Sequence, residues 1–95
     1  MECRELIFSG HAIQRMFERR IGKSDVRAVI ETGQIIAEYP DDKPFPSYLM
    51  LAATSGRPIH VVVAVDSDNR RCHVVTIYVP DAAHWSDDFK TRRRP

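Results

Sequence analysis

His11, Arg15, Glu18 and Arg19 stand at i, i+4, i+7 and i+8, the spacing that brings side chains to one side of a helix. The row joins an imidazole, which exchanges a proton near neutral pH, to two guanidiniums, whose planar forks match phosphate oxygens. Arg20, Lys23 and Arg27 extend the cationic run. Residues 9–27 thus carry five cations against Glu18 and Asp25, while the whole chain has a net charge of only +1. That local excess, and not the global balance, argues for a polyanionic partner such as RNA. The same spacing also describes an ordinary solvated helix face.

A second group lies far along the chain. In the run 59–66, His60, Val62, Ala64 and Asp66 alternate with Ile59, Val61, Val63 and Val65, and the wholly aliphatic set belongs to a core. His60 then faces away from that core. In the run 71–79, Cys72, Val74, Thr76 and Tyr78 alternate with His73, Val75, Ile77 and Val79, and Thr76 and Tyr78 belong with His60 if the connecting loop has an odd number of residues. His60 and Tyr78 become cross-strand neighbours with Thr76 beside them. An imidazole with hydroxyl companions can transfer protons, and such acid–base groups contribute about 10²- to 10⁴-fold in rate. It equally fits a strand histidine satisfied by a hydroxyl.

Other chemistries lack their parts. Four histidines and two cysteines show no CxxC, HxxxH or HExxH spacing, and Cys72 and His73 point to opposite faces of a strand, so no metal is expected. Ser9 and Ser24 read as helix caps, and Cys72 has no activating motif beside it. The four glycines are scattered at turns and form no phosphate loop, so no cofactor is expected. Arg92, Arg93 and Arg94 make a basic end suited to phosphate.

The elements that position these groups follow from periodicity and turn chemistry. Ser9 caps a helix with apolar residues at Ala12, Ile13, Met16, Phe17 and Ile21, and Gly22 provides a left-handed exit. Ser24 caps a second helix with Val26, Val29 and Ile30, ended by Gly33 in the same way. A strand follows at Ile35–Ala37, then a surface loop punctuated by Pro40, Pro44 and Pro46. Three further runs, 47–53, 59–66 and 71–79, are separated by turn-forming stretches and read as an antiparallel meander. After Pro80, Trp85 and Phe89 stand four apart, as in a short docked helical turn before a frayed end.

Size and composition set the frame. With 95 residues, 43% hydrophobic and 28% charged, the chain builds one globular core. The expectation is one α+β domain over residues 1–95: two helices at about 9–32, an antiparallel sheet of about four strands at about 34–79, and a short helical tail at 80–95. No apolar run approaches the roughly 20 residues of a membrane span. The amino end lacks an export signal, so a soluble, cytoplasmic protein is expected, with Cys3 and Cys72 as reduced thiols.

The string Ser9-Gly10-His11-Ala12 with Arg15, Arg19 and Ile21, the Ser24-Asp25-Val26 helix start, Ile59-His60-Val61-Val62-Val63 and the closing Thr76-Ile77-Tyr78 resemble the bacterial domain of unknown function 4258 family over nearly the whole chain. The resemblance implies a RelE- and barnase-like nuclease fold, with helices before a curved antiparallel sheet. It also implies a toxin beside a cognate antitoxin and RNA cleavage without metal. His11, Arg15, Arg19, His60, Thr76 and Tyr78 match the family's pattern, while Arg20 stands where the family usually has a small residue such as glycine. Together these point to a toxin-like RNA-binding protein or endoribonuclease. Arg15 and Arg19, helped by Arg20, hold phosphate; His11 and His60 exchange protons; Thr76 and Tyr78 position the scissile group. The rival expectation is a non-catalytic module that pairs with an antitoxin or with a second copy as a homodimer, through an edge strand or the Trp85 and Phe89 segment. A small-ligand pocket suits so thin a fold poorly.

Overall fold

The computed structural model describes residues 1–94. Its elements in chain order are β1 (Glu5–Phe8), α1 (Gly10–Arg19), α2 (Lys23–Thr32), β2 (Gln34–Tyr39), β3 (Ser47–Thr54), β4 (Arg57–Asp66) and β5 (Arg71–Tyr78). They form one five-stranded sheet in the order β1-β5-β4-β3-β2. The class is α+β as expected, but the four-stranded antiparallel sheet is corrected: β1 adds a fifth strand and pairs in parallel with β5, which makes the sheet mixed. Four residues are too short for an alternation signal, and their partner strand lies more than sixty residues away.

Both helices pack on one face of the sheet. Ala12, Met16, Val26, Val29 and Ile30 meet Met50, Ile59, Val61, Val63, Val74 and Ile77 in one buried cluster. Ile13 and Phe17, expected in that core, are exposed, because the buried stripe of α1 runs through Ala12 and Met16.

Local chemistry fixes the helix ends. The Ser9 hydroxyl accepts from the Ala12 N–H at 3.0 Å, a side-chain N-cap. At the other end Arg20, not Gly22, takes the left-handed position, with φ 55°. The Arg57 guanidinium donates to the carbonyls of Arg19 and Arg20 at 2.8 and 2.7 Å, setting a cation on the last turn of α1. Gly22, not Ser24, is the N-cap of α2, and its N–H donates to the Asp25 carboxylate at 3.0 Å. That bond is the first cause holding the Asp25 carboxyl below its ordinary value. Gly33 ends α2 with an extended backbone; a side chain there would press into the carbonyl oxygens of Val29 and Leu51.

The β4–β5 register carries the most consequence. The loop between them is Ser67–Arg70, four residues and therefore even, which in a regular hairpin would set Thr76 opposite Val61 and Tyr78 opposite Ile59, on the core face with Cys72 and Val74. Pairing runs Asp66↔Arg71 to Val63↔Val74, then resumes at Val62↔Thr76 and continues to His60↔Tyr78. Val75 is thus an inserted residue, a β-bulge that switches the faces of the strand. Before it, Cys72 and Val74 enter the helix-covered core; after it, Thr76 and Tyr78 join His60 on the second face. The Ser9 N–H donates to the Val74 carbonyl at 3.2 Å, and its hydroxyl donates to that of Val75 at 3.0 Å, so the start of α1 is hooked onto the bulge.

The expected C-terminal helical turn is also corrected, since residues 80–94 form successive turns. Their side chains compete with a helical ladder. Asp81 accepts from the His84 N–H at 2.9 Å and Asp88 from the Lys90 N–H at 3.1 Å, while Phe89 takes the left-handed φ of 60°. An isolated bridge between Trp85 and Arg92 closes this segment into a strap.

Cys3 and Cys72 are joined in a disulfide, their Cα atoms 5.6 Å apart, where reduced thiols were expected. The parallel pairing of β1 with β5 brings them together, a contact that sequence separation hides. Opening this link by Cys3→Ser is expected to cost about 2–4 kcal/mol of stability, a fall of at least about 8 °C in the melting temperature of a domain this size. Calorimetry with and without reductant measures it. Two titratable thiols in protein purified without reductant would contradict the bond.

Candidate functional site

The sequence-predicted residues fall into two groups that share one strand. At the first, α1 leaves the sheet just where β1 stops covering β5. His11, in the first turn, reaches the newly uncovered stretch, and its Nε2 shares a 2.9 Å hydrogen bond with Thr76 Oγ1. Arg15 lies one turn on and is half-buried, its guanidinium 3.4 Å from Glu18, an exposed pair of little energetic weight. Arg19 and Arg20 are exposed, and neither has a carboxylate partner among the described residues.

His60 and Tyr78 form the second group, directly opposite each other on the second face. Their rings meet edge-on at 5.1 Å, and Trp85 closes over His60 at 4.4 Å, also edge-on. His60 faces away from the helices yet is fully buried, because the strap roofs it. Its Nε2–H donates to the Phe89 carbonyl at 2.8 Å. A carbonyl only accepts, so Nε2 carries the proton and Nδ1 is the bare nitrogen, buried without a partner among the described residues.

Thr76 and Tyr78, two residues apart after the bulge, connect the two groups along β5. His11 and His60 do not meet: one is bonded to Thr76 at the open edge of β5, the other to Phe89 under the strap. The four histidines are dispersed, with His73 stacked on Phe45 at 5.4 Å and His84 Nδ1 2.8 Å from Asp81. Among the described residues no three His, Cys, Asp or Glu side chains group as metal ligands. Sequence reasoning missed the roof over His60. The Trp85 and Phe89 spacing marked an apolar segment, but nothing local showed which surface it would cover.

In chemical terms, the His11–Thr76 pair is an imidazole on a hydroxyl at solvent, able to relay a proton, with the Glu18-paired guanidinium of Arg15 one turn away. The His60 environment differs. Burial disfavours the imidazolium and pushes its pKa below the ordinary 6.5, an effect partly opposed by the Phe89 carbonyl. Tyr78 is pushed upward, first by burial and then by nearby Tyr39, with Arg92 acting the other way.

Fold and site define a small α+β domain in which helices cover one sheet face, a terminal strap covers part of the other, and an imidazole–hydroxyl pair sits at the strand edge between them. Residues 8–79 match the family described as Domain of unknown function (DUF4258), and the chain belongs to that family. No curated protein and no solved structure matches it.

The lowered pKa of His60 has a defined sign. The unfolded chain takes up the proton near pH 6.5 while the folded one resists it, so the contribution of neutral His60 is complete above that pH and declines as pH falls beneath it. The depressed carboxyls of Asp25, Asp81 and Asp88 act lower, below about pH 4. Urea midpoints are expected to drop between pH 7 and pH 5, and His60→Phe to flatten that drop. A wild-type midpoint constant over this interval would contradict the buried neutral imidazole.

Proposed function

We propose that this domain is a toxin-like RNA-binding protein that engages the phosphate backbone along the exposed flank of α1, with any cleavage centred on His11 and Thr76. The observation that carries this reading is the 2.9 Å bond between His11 Nε2 and Thr76 Oγ1, placed one helical turn from Arg15 at the uncovered edge of β5. Arg19 and Arg20 supply unpaired guanidiniums at the exit of the same helix. His60, roofed by the strap, and Tyr78 opposite it stand apart from the His11–Thr76 pair and take no catalytic part.

In a metal-independent cleavage His11 takes the proton of the ribose 2′-hydroxyl as that oxygen attacks the adjacent phosphorus. The new O–P bond forms as the P–O5′ bond breaks, the 5′-oxygen leaving with a proton taken from solvent water, and a 2′,3′-cyclic phosphate remains. The Cys3–Cys72 disulfide ties β1 to the start of β5, away from the His11–Thr76 pair. Thr76 lies four residues along β5 from Cys72, held by the bulge and by Ser9. Among the described residues no helix is long and apolar enough to cross a membrane.

One observation favours a second reading, a protein-interaction module. Phe17 is 86% exposed and Ile13 51% exposed, one turn apart on the other flank of α1. A cognate antitoxin or a second copy of the chain would cover them.

The test measures anisotropy of labelled single-stranded RNA against salt, with EDTA present, and product analysis by gel. Binding is expected to weaken with salt, and Arg15→Ala to lower the slope by about 0.7, the value for one single-strand phosphate contact. His11→Ala is expected to remove cyclic-phosphate product by at least about 10²-fold, while Phe17→Glu leaves binding intact. RNA unretained at low salt would overturn the RNA reading; a Phe17→Glu variant that loses self-association or antitoxin capture while RNA is ignored would establish the second.

A further inference from the structure

The second sheet face carries a cleft that the RNA reading does not use. It lies between the β2–β3 side of the sheet and the strap, with a volume of about 460 Å³, within the range of small-molecule sites. Leu49 forms part of its floor and Trp85 part of its wall; Tyr39 and Tyr78 bring phenols to it, Lys90 and Arg92 bring charge. Among the described residues no carboxylate side chain lines it.

The two cations are available. Neither Lys90 nor Arg92 makes a side-chain ion pair among the described residues, whereas adjacent Arg93 is occupied by Asp87 and by the Ala82 carbonyl, each at 2.9 Å. Of the three terminal arginines, then, one staples the strap and one faces a cleft. The phenols are likewise uncommitted, since neither Tyr39 nor Tyr78 hydroxyl has a hydrogen-bond partner within the chain among the described residues. Tyr78 feels both Tyr39 and Arg92 electrostatically, so these groups share one local field, and its raised pKa keeps the phenol a donor.

Two cations and two phenol hydroxyls thus line one cleft together with the apolar Ile36, Ala37, Leu49 and Trp85. A polyanion backbone would call for a longer row of cations and no hydrocarbon floor. We propose that this cleft binds a small amphiphilic anion, a carboxylate or phosphate head on a short or flat apolar body. Arg92 and Lys90 hold the head, Tyr39 and Tyr78 donate to it, and Leu49 and Trp85 line the body. The guanidinium fork gives the head its orientation, and the apolar lining excludes bare inorganic ions from equal affinity.

Trp85 is the chain's one tryptophan, so its indole N–H gives a single assigned reporter at the cleft wall. Full-length ¹⁵N-labelled protein is titrated with phenyl phosphate and with hexanoate, and in parallel with inorganic phosphate and with phenol. A saturable movement of the indole resonance is expected with phenyl phosphate, hexanoate or both, the two arms telling phosphate from carboxylate. Inorganic phosphate and phenol should bind at least about tenfold more weakly, and Arg92→Ala and Lys90→Ala should each weaken binding by about tenfold, with dispersed amide spectra showing that the variants fold. No saturable movement at millimolar ligand overturns the proposal, as do equal affinity for inorganic phosphate or variants that bind like the wild type. Lys90 and Arg92 lie outside the His11 site, so such a failure leaves the RNA reading untouched.

Discussion

A single inserted residue in β5 governs the arrangement of everything around it. With Val75 bulged out, the first half of the strand sends Cys72 and Val74 into the helix-packed core, and the second half sends Thr76 and Tyr78 to the opposite face. A regular strand would keep all four on one side. The inserted residue also turns its carbonyl toward Ser9, which caps α1 and holds the bulge with the same hydroxyl. Helix start and strand irregularity are therefore one device, and His11, two residues into the helix, meets Thr76 because of it.

The bulge also determines how the second face is finished. Once Tyr78 stands opposite His60, the two rings need cover, and both helices of the described residues are already packed on the other face. The strap does so with Trp85 and the Phe89 carbonyl. The result separates two histidines that share a strand neighbourhood. One is solvent-facing and able to exchange a proton; the other is dry, neutral and bonded to backbone. Burial of an imidazole without a charge partner suits a structural anchor better than an acid or base.

Much of this was legible in the residues. Apolar spacing located both helices, and alternation separated Ile59, Val61 and Val63 from His60. The pairing of His60 with Tyr78 was foreseen for the wrong cause, an odd loop, because a bulge and an odd loop shift the phase of a strand equally and leave no distinct mark in hydrophobicity. The inward turn of Ala12 and Met16 in place of Ile13 and Phe17 was hidden because a helix wheel gives the apolar arc and not the direction of the sheet. β1 and the disulfide escaped for one shared reason: a four-residue parallel strand acquires its meaning only from a partner more than sixty residues away. The strap escaped because side-chain bonds from Asp81 and Asp88 outweigh a weak helical spacing.

The most direct measurement is a nuclear Overhauser spectrum of the ¹³C-labelled protein, read at β5. With Val75 inserted, the His60 ring protons show cross-peaks to the rings of both Tyr78 and Trp85, and the Val74 methyls show them to Val63 on the helix-covered side. Should the His60 ring show no contact with Tyr78, with Thr76 instead beside Val61 on the helix-covered side, the strand is regular; should it show none with Trp85, the roof is absent; either result contradicts the placement of His11, Thr76 and Tyr78 described above.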